Sequence, residues 1–399
     1  SDFLFICKKR REISGGFVST TLEVGNMNEK VYDYMDWPRI EGIVYGEETS
    51  PKDVMSPRLT AEGVLIQGYF PGAEKAEVAV GKKNYDMEME DEAGYFAALI
   101  PGRRIPSYRF RVTRGGETEE FADPYAFAGQ ITEDEEKAFC AGVYYHAYEK
   151  LGAHPMTIKG TDGVSFAVWA PNAVSVSVAG DFNRWDGRGY LMHRMPMSGI
   201  FELFVPGAKV GDLYKYEIKI KGGKTKYQTD PYGASIEFPP ARASIVADVS
   251  EFVWEDGSWM KDRKKYADRK QPLSIYETSM DQWKDGAELA EYAGKMGYTH
   301  VELHPVMAYL DDAAGPYSTY GYYALDRRLG APADFQKFVN ELHKAEVGVV
   351  LDWTPAAFPR EEGGLELFDG TPLYEKPDPS MAVHPMWGTL LYNYERPMV

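Results

Sequence analysis

The sequence predicts a multidomain chain: two tandem β-sandwiches of the immunoglobulin-like kind, then the opening of a parallel α/β unit. Three observations carry this. "VLIQGYFPGAEKAEVAV" (Val64–Val80) and "VSFAVWAPNAVSVSVAG" (Val164–Gly180) read as variants of one pattern, alternating apolar and polar residues around a proline turn. After about Pro272 the period changes to strand, helix, strand, helix, strand. And 399 residues exceed what one ordinary core organises, so several domains are expected.

In chain order, residues 1–29 form a terminal segment in which Met27 is a plausible start and "KKRRE" (Lys8–Glu12) a short basic cluster. Residues 30–130 should make the first sandwich. Each copy of the repeat continues with a "GYF" or "GIF" strand start (Gly94, Gly199), a "YRFRV" or "YKYEI" strand (Tyr108, Tyr214) and "DPYAF" or "DPYGA" (Asp123, Asp230). Short alternating strands separated by turn residues are what a sandwich needs. Residues 131–155 read as a mixed linker that packs between the two, and 156–262 as the second sandwich. Residues 263–399 carry the parallel unit, opened by the polar "RKKYADRKQPL" (Arg263–Leu273). The two sandwiches are expected to fold without it. In that unit "LSIYE" (Leu273–Glu277) and "VVLDW" (Val349–Trp353) read as buried strands, "GAELAEYAGKMG" and "APADFQKFVNELHKAE" as helices. The pattern fits either a barrel or a doubly wound sheet. Three parallel strands leave an open edge, so the chain, which reaches Val399 after the third, is expected to be cut short within its last domain.

Composition narrows the function. A net charge of −17 argues against nucleic acid or an anionic membrane as partner, since both call for clustered cations. Only Cys7 and Cys140 are present, which fits a reducing cytoplasm. No apolar run reaches the roughly 18 residues of a membrane helix. His300, His304 and His343 show no metal-ligand spacing and read as structural. No metal or cofactor is expected. Aromatics at 14%, with 28 Tyr and 8 Trp, suit either a face presented to a ligand or aromatic-rich β cores.

Asp352 closes an apolar strand with a carboxylate, a placement common in active sites. Around it, "GDFNRWDGRGYLM", "YEKLGAHP", "PLSIYE", "MGYTHVEL", "VVLDW", "FDGTPLYE" and "HPMWGTLLYNY" occur in an order that resembles bacterial glycogen branching enzymes of the α-amylase superfamily. The resemblance runs from about residue 30 to 399. It implies that the second sandwich is a glycogen-type carbohydrate-binding module and that the parallel unit is the first part, about three βα units, of a (β/α)8 TIM barrel.

It also implies glycogen biosynthesis in the cytoplasm: 1,4-α-glucan branching, in which an α-1,4 link is cleaved and an α-1,6 link re-formed by retaining double displacement on glycogen or amylose-like chains. In this family the nucleophile sits at the end of the fourth barrel strand, and the acid and a stabilising Asp lie further on. All three are therefore expected beyond Val399, none within these 399 residues, and the chain alone is expected to be inactive. The residues carried over for substrate binding are Asp352, Tyr317, Trp185 in the "DFNRWDG" turn, and Tyr227. Departures gather at the pocket. Ala357 stands where the family has a His, "GPYS" (Gly315–Ser318) replaces Trp-Gly-Tyr-Gln, and "TSMDQW" (Thr278–Trp283) replaces Val-His-Leu-Gly-Ser-Trp. A non-catalytic glucan-binding relative, or another superfamily hydrolase such as a debranching or trehalose-forming enzyme, is the alternative.

Overall fold

The computed structural model describes residues 31–267 and 271–399, and the terminal segment, with Cys7, "KKRRE" and Met27, lies outside them. The chain is mostly β and multidomain. Its first module is a seven-stranded sheet, ordered β1-β2-β5-β4-β3-β6-β7. The strands are β1 (Arg58–Leu59), β2 (Val64–Tyr69), β3 (Lys75–Val80), β4 (Lys83–Asp91), β5 (Tyr95–Ile100), β6 (Arg109–Arg114) and β7 (Glu117–Phe121). The two layers of this module are joined through β4: its first half pairs with β3 (Ala76 opposite Met87) and its second with β5 (Glu88 opposite Ala97). Val64, Ile66, Val78, Phe96 and Phe110 meet in the core between the layers.

The second module has two separate sheets. One is β10 (Ser175–Gly180), β13 (Leu213–Lys219) and β14 (Thr225–Gln228), with β15 (Ser244–Ile245) on β13. The other is β11 (His193–Arg194), β12 (Ile200–Pro206), β9 (Thr161–Trp169) and β8 (Gly152–Ile158). Phe166, Val176, Phe201 and Tyr216 are among its fully buried residues. Because β8 begins at Gly152, the second sandwich opens a few residues before the expected boundary at 156.

The sequence repeat has a structural counterpart. In the first module the Tyr108 hydroxyl donates to Asp123, whose other oxygen accepts the Tyr125 N–H at 2.8 Å. In the second the Tyr214 hydroxyl donates to Asp230 at 2.6 Å and the Tyr232 N–H to its other oxygen at 2.8 Å. Both carboxyls are fully buried, and burial raises both pKa values, that of Asp123 to about 7. Each motif thus closes its own sandwich with the same tyrosine-aspartate latch.

Residues within 30–130 also form two helices, α1 (Trp37–Val44) and α2 (Pro51–Met55), whose Ile40, Ile43, Val54 and Met55 join an apolar cluster that runs from Leu65 and Tyr95 of the first module into the second sandwich. The segment expected as a linker carries α3 (Glu133–Cys140), started by a capping box in which Thr132 and Glu135 bond each other's backbone N–H. Its Glu136 accepts three hydrogen bonds, from Met197 N, Ser198 N and Ser198 Oγ, at 2.8–2.9 Å. It is therefore seated on the second module.

Beyond α4 (Gly257–Asp262) and α5 (Lys264–Ala267), strands β16 (Ile275–Thr278), β17 (His300–Leu303) and β20 (Gly348–Leu351) pair in parallel. A short antiparallel pair, β18 (Met307–Tyr309) and β19 (Thr319–Leu325), lies between β17 and β20 in sequence. Helices α6 (Gly286–Met296) and α7 (Pro332–Lys344) pack Leu289, Ala293, Phe338 and Leu342 against Val301 and Leu303. Among the described residues the other face of the sheet is left largely uncovered. Ile275 is 45% exposed, Val350 37% and Leu351 42%, which corrects the expectation of buried strands at "LSIYE" and "VVLDW". Ile275 and Val350, paired with His300 and Glu302, lie on the face away from the helices, whereas Leu351, opposite Leu303, is exposed at the end of its strand.

The segment after β20 does not stay with this sheet. It forms a small antiparallel pair, β21 (Ala357–Phe358) with β22 (Leu390–Leu391), plus α8 (Pro379–Ala382). Phe358, Leu365, Phe368, Leu373, Tyr374 and Leu390 belong to the second sandwich's apolar cluster, and Tyr374 meets Trp169 edge-on at 5.8 Å. "FDGTPLYE" therefore docks on the second module, across the polar boundary expected near residue 268. Val399 follows the same course. It is partly buried against the same cluster, and its N–H donates to the Arg396 carbonyl at 3.0 Å. The reason is apolar: the residues after β20 find their burial on the sandwich, whereas the outer face of the parallel sheet stays bare.

Candidate functional site

The four residues singled out from the sequence lie at two places. Trp185 and Tyr227 belong to the second module. The turn after β10 holds Arg184 and Trp185 both in the left-handed region (φ 57° and 62°), a conformation that costs a non-glycine residue of order 1 kcal/mol or more. Trp185 is 40% exposed, and its indole N–H donates to Asp181 at 3.0 Å. The next residue but one, Gly187, lies so close to Glu217 that a Cβ there would fall 2.2 Å from its carboxylate. The turn is thereby pressed against the outer face of the β10-β13-β14 sheet.

On that face Lys215, Glu217 and Lys219 alternate with the buried Tyr214, Tyr216 and Ile218 of β13. Tyr227 of β14 sits opposite Glu217, is 55% exposed and hydrogen-bonds its carboxylate, whose negative charge is the main cause of the raised Tyr227 pKa. Glu217 also accepts from Ser177 Oγ at 2.9 Å, and burial raises its pKa. Burial lowers that of Lys215. Tyr227 and Lys215 line a groove of about 380 Å³ that continues over Arg242 to Glu361 and Gly363. Glu217 thus connects the Trp185 turn to Tyr227. Two exposed aromatic faces around hydrogen-bonding polar groups suit a sugar ring, which is apolar on its faces and hydroxylated at its edge.

Tyr317 and Asp352 lie at the carboxyl ends of the parallel strands. The Tyr317 hydroxyl donates to Asp352 Oδ2 at 2.7 Å, and that bond is the largest cause of the raised Tyr317 pKa. Beside them the negative charges of Glu277 and Glu302 also act on Tyr317. His304, read as structural from its spacing, is part of this cluster: one ring nitrogen pairs with Ser279 Oγ at 3.0 Å and the other with Glu277 Oε1 at 3.1 Å. Sequence reasoning missed His304 here and Glu217 on the module face. The signal for His304 was its place directly after β17, and for Glu217 its alternation with two buried tyrosines. Ala357 offers no side-chain donor, and its carbonyl accepts from the Tyr322 hydroxyl at 2.6 Å. Among the described residues no group of His, Cys, Asp and Glu side chains could hold a metal ion.

These features place a β-sandwich with an aromatic outer face beside a second β module and a strand-end cluster of polar side chains. The corresponding family models match in place. Residues 36–125 match the N-terminal domain of alpha-1,4-glucan branching enzyme GlgB, and residues 150–233 match carbohydrate-binding module 48, the isoamylase N-terminal domain. Among curated proteins, the chain is 41% identical over 359 residues to the 1,4-alpha-glucan branching enzyme GlgB of Cellvibrio japonicus, covering 85% of this chain and 48% of that protein. It is 37% identical over 394 residues to GlgB 1 of Streptomyces coelicolor, covering 97% and 51%. Over most of its length the chain is similar to 1,4-α-glucan branching enzymes, and it spans about half the length of the curated relatives it matches. Among solved structures, a pullulanase of Anoxybacillus sp. LM18-11 complexed with maltotriose aligns over 86% of this chain and 54% of its own, at 18% identity and a TM-score of 0.48. No helix among the described residues is long and apolar enough to cross a membrane.

Proposed function

We propose that this chain is the glucan-binding portion of a 1,4-α-glucan branching enzyme, that it holds glycogen or amylose-like chains, and that residues 1–399 alone do not branch glucan. The observation that supports binding is the pairing of Trp185 and Tyr227 on the outer face of one sheet, with Glu217 between them. Pyranose rings stack on the two aromatic faces, and Glu217 and Lys215 take hydroxyls. At the strand ends, Tyr317 stacks beneath a reacting sugar, and Asp352 fixes the phenol by the 2.7 Å bond.

Inactivity follows from the chemistry. Retaining transglycosylation needs a nucleophilic carboxylate and an acid about 5–5.5 Å apart. The described parallel sheet has three strands. The family resemblance puts the nucleophile at the end of a fourth, beyond Val399, in what we take to be a (β/α)8 barrel. Ala357 further removes a side chain that would bond sugar hydroxyls.

Affinity electrophoresis through glycogen tests the binding. Trp185→Ala and Tyr227→Ala should each weaken retention by about 0.5–1.5 kcal/mol, the worth of one aromatic contact beyond its buried area. Retention unchanged in both variants refutes the assigned face. A fall in iodine absorbance of amylose incubated with the 399-residue chain refutes the inactivity.

A further inference from the structure

A cleft of about 510 Å³ lies between the two β modules, within the range of small-ligand sites. It lies on the other side of the Trp185 turn from Glu217: Arg184 and Asp186 line it, whereas Trp185 between them does not. The floor is aromatic, with Phe121 of the first module and Phe182 and Tyr190 of the second only partly buried. The rim is charged. Arg184 of the second module pairs with Glu119 of the first across the opening, and Arg114 holds the Pro71 carbonyl at 3.2 Å.

The charges on this rim are already matched. Arg188 next to the cleft bonds both oxygens of Asp186 at 2.9 and 2.8 Å, and Asp181 accepts the Trp185 indole N–H and the Leu213 N–H. Carboxylates on the rim at least balance the guanidinium groups, so an anion gains nothing by entering. What the cleft offers is fixed donors and acceptors above an aromatic floor, held by partners before any ligand arrives. That suits a neutral, polyhydroxylated ligand with an apolar face. The two left-handed residues supply the continuity, since one turn presents Arg184 to the cleft and Trp185 to the outer face.

We propose that the inter-module cleft is a second α-glucan subsite, in which glucosyl units stack on Phe121 and Tyr190 and hydrogen-bond Arg114, Arg184 and Asp186. This rests on the glucan-binding reading given above and extends it from one module to the junction of two.

Amide shifts of the ¹⁵N-labelled chain, titrated with maltoheptaose and separately with inorganic phosphate, test it. The expected result is saturable shifts at Glu119, Phe121, Gly189 and Tyr190 with maltoheptaose and none with phosphate. Arg114→Ala should weaken the cleft response at least tenfold while the Tyr227 amide still responds as in the parent. Should Arg114→Ala fail to fold, Glu119→Gln and the parent titration decide in its place. Shifts at Tyr227 without any in the cleft overturn this inference and leave the proposed function standing. No shift at either place sinks both. Cleft shifts with phosphate overturn it in favour of an anion site.

Discussion

Asp369→Ala should loosen the segment that follows β20 from the second sandwich. Asp369 is 1% exposed, and one carboxylate oxygen accepts both the backbone N–H and the side-chain amide of Asn172 at 2.9 Å. The other accepts Thr371 N and Oγ1 at 3.2 and 2.6 Å. Truncation leaves the two Asn172 donors without this acceptor. An unsatisfied buried donor costs about 1–3 kcal/mol, and Asn172 is partly exposed, so water relieves some of the loss; about 3 kcal/mol is expected in total. The segment keeps other ties: Gln228 Nε2 to the carbonyls of Gly364 and Phe368, and Thr229 N to Gly363 O. It should therefore open more often rather than detach. At roughly 1.4 kcal/mol per tenfold, amides from Leu367 to Thr371 should exchange hydrogen about a hundredfold faster, while those of β17 keep their rate. Asp369→Asn, which retains one acceptor, should show roughly half the free-energy effect. Exchange within about threefold of the parent would show that the docking does not depend on this carboxylate.

Two further outcomes follow from the packing. Because burial raises the Asp123 pKa from 3.8 to about 7, the folded state binds its proton more tightly than the unfolded one. The resulting stability is full below about pH 4 and is lost as pH rises through 7, amounting to about 4 kcal/mol over that window. Asp123→Asn should flatten this part of the pH dependence in urea unfolding, and parallel curves for parent and variant refute it. Gly286→Ala should destabilise the parallel unit by about 1–3 kcal/mol despite alanine's better helix propensity. Its Cβ would meet the Phe338 carbonyl at 2.3 Å, a backbone atom that no rotamer change can move away. A higher melting temperature for that variant contradicts the packing of α6 on α7.

What the sequence disclosed follows the range of the interactions involved. The repeat was legible because each module closes locally: Tyr108 reaches Asp123 and Tyr214 reaches Asp230 within one supersecondary unit. The helices α6 and α7 were legible from spacing for the same reason. The docking of "FDGTPLYE" was not, since the Asn172–Asp369 bonds join residues 197 apart and nothing in either stretch names its partner. The exposure of Ile275 and Val350 was hidden for a related reason. An apolar run specifies a preference for burial, while the elements around it decide whether that preference is met. Tyr317 and Asp352 came from the family resemblance, because a hydrogen bond across 35 residues has no periodic signature. Glu217 went unnoticed as an ordinary polar residue on a strand, His304 was read as structural from its spacing, and only their neighbours mark them.

The loop at residues 363–368 has a second consequence through β14. That strand is the outermost of its sheet, and an uncovered outermost strand is a template on which other chains can pair. Here the Gly363 carbonyl takes the N–H of Thr229 just beyond the strand, and the Lys226 ammonium donates to the carbonyls of Glu366 and Leu367, so the loop lies over the rim of the sheet. A fragment ending near Leu351 would bare it, along with the apolar surface beneath Phe368 and Tyr374. Such a fragment should self-associate in solution, and sedimentation velocity over a range of concentrations would expose that as a rising mean mass, whereas the 399-residue chain should be spared association at that rim.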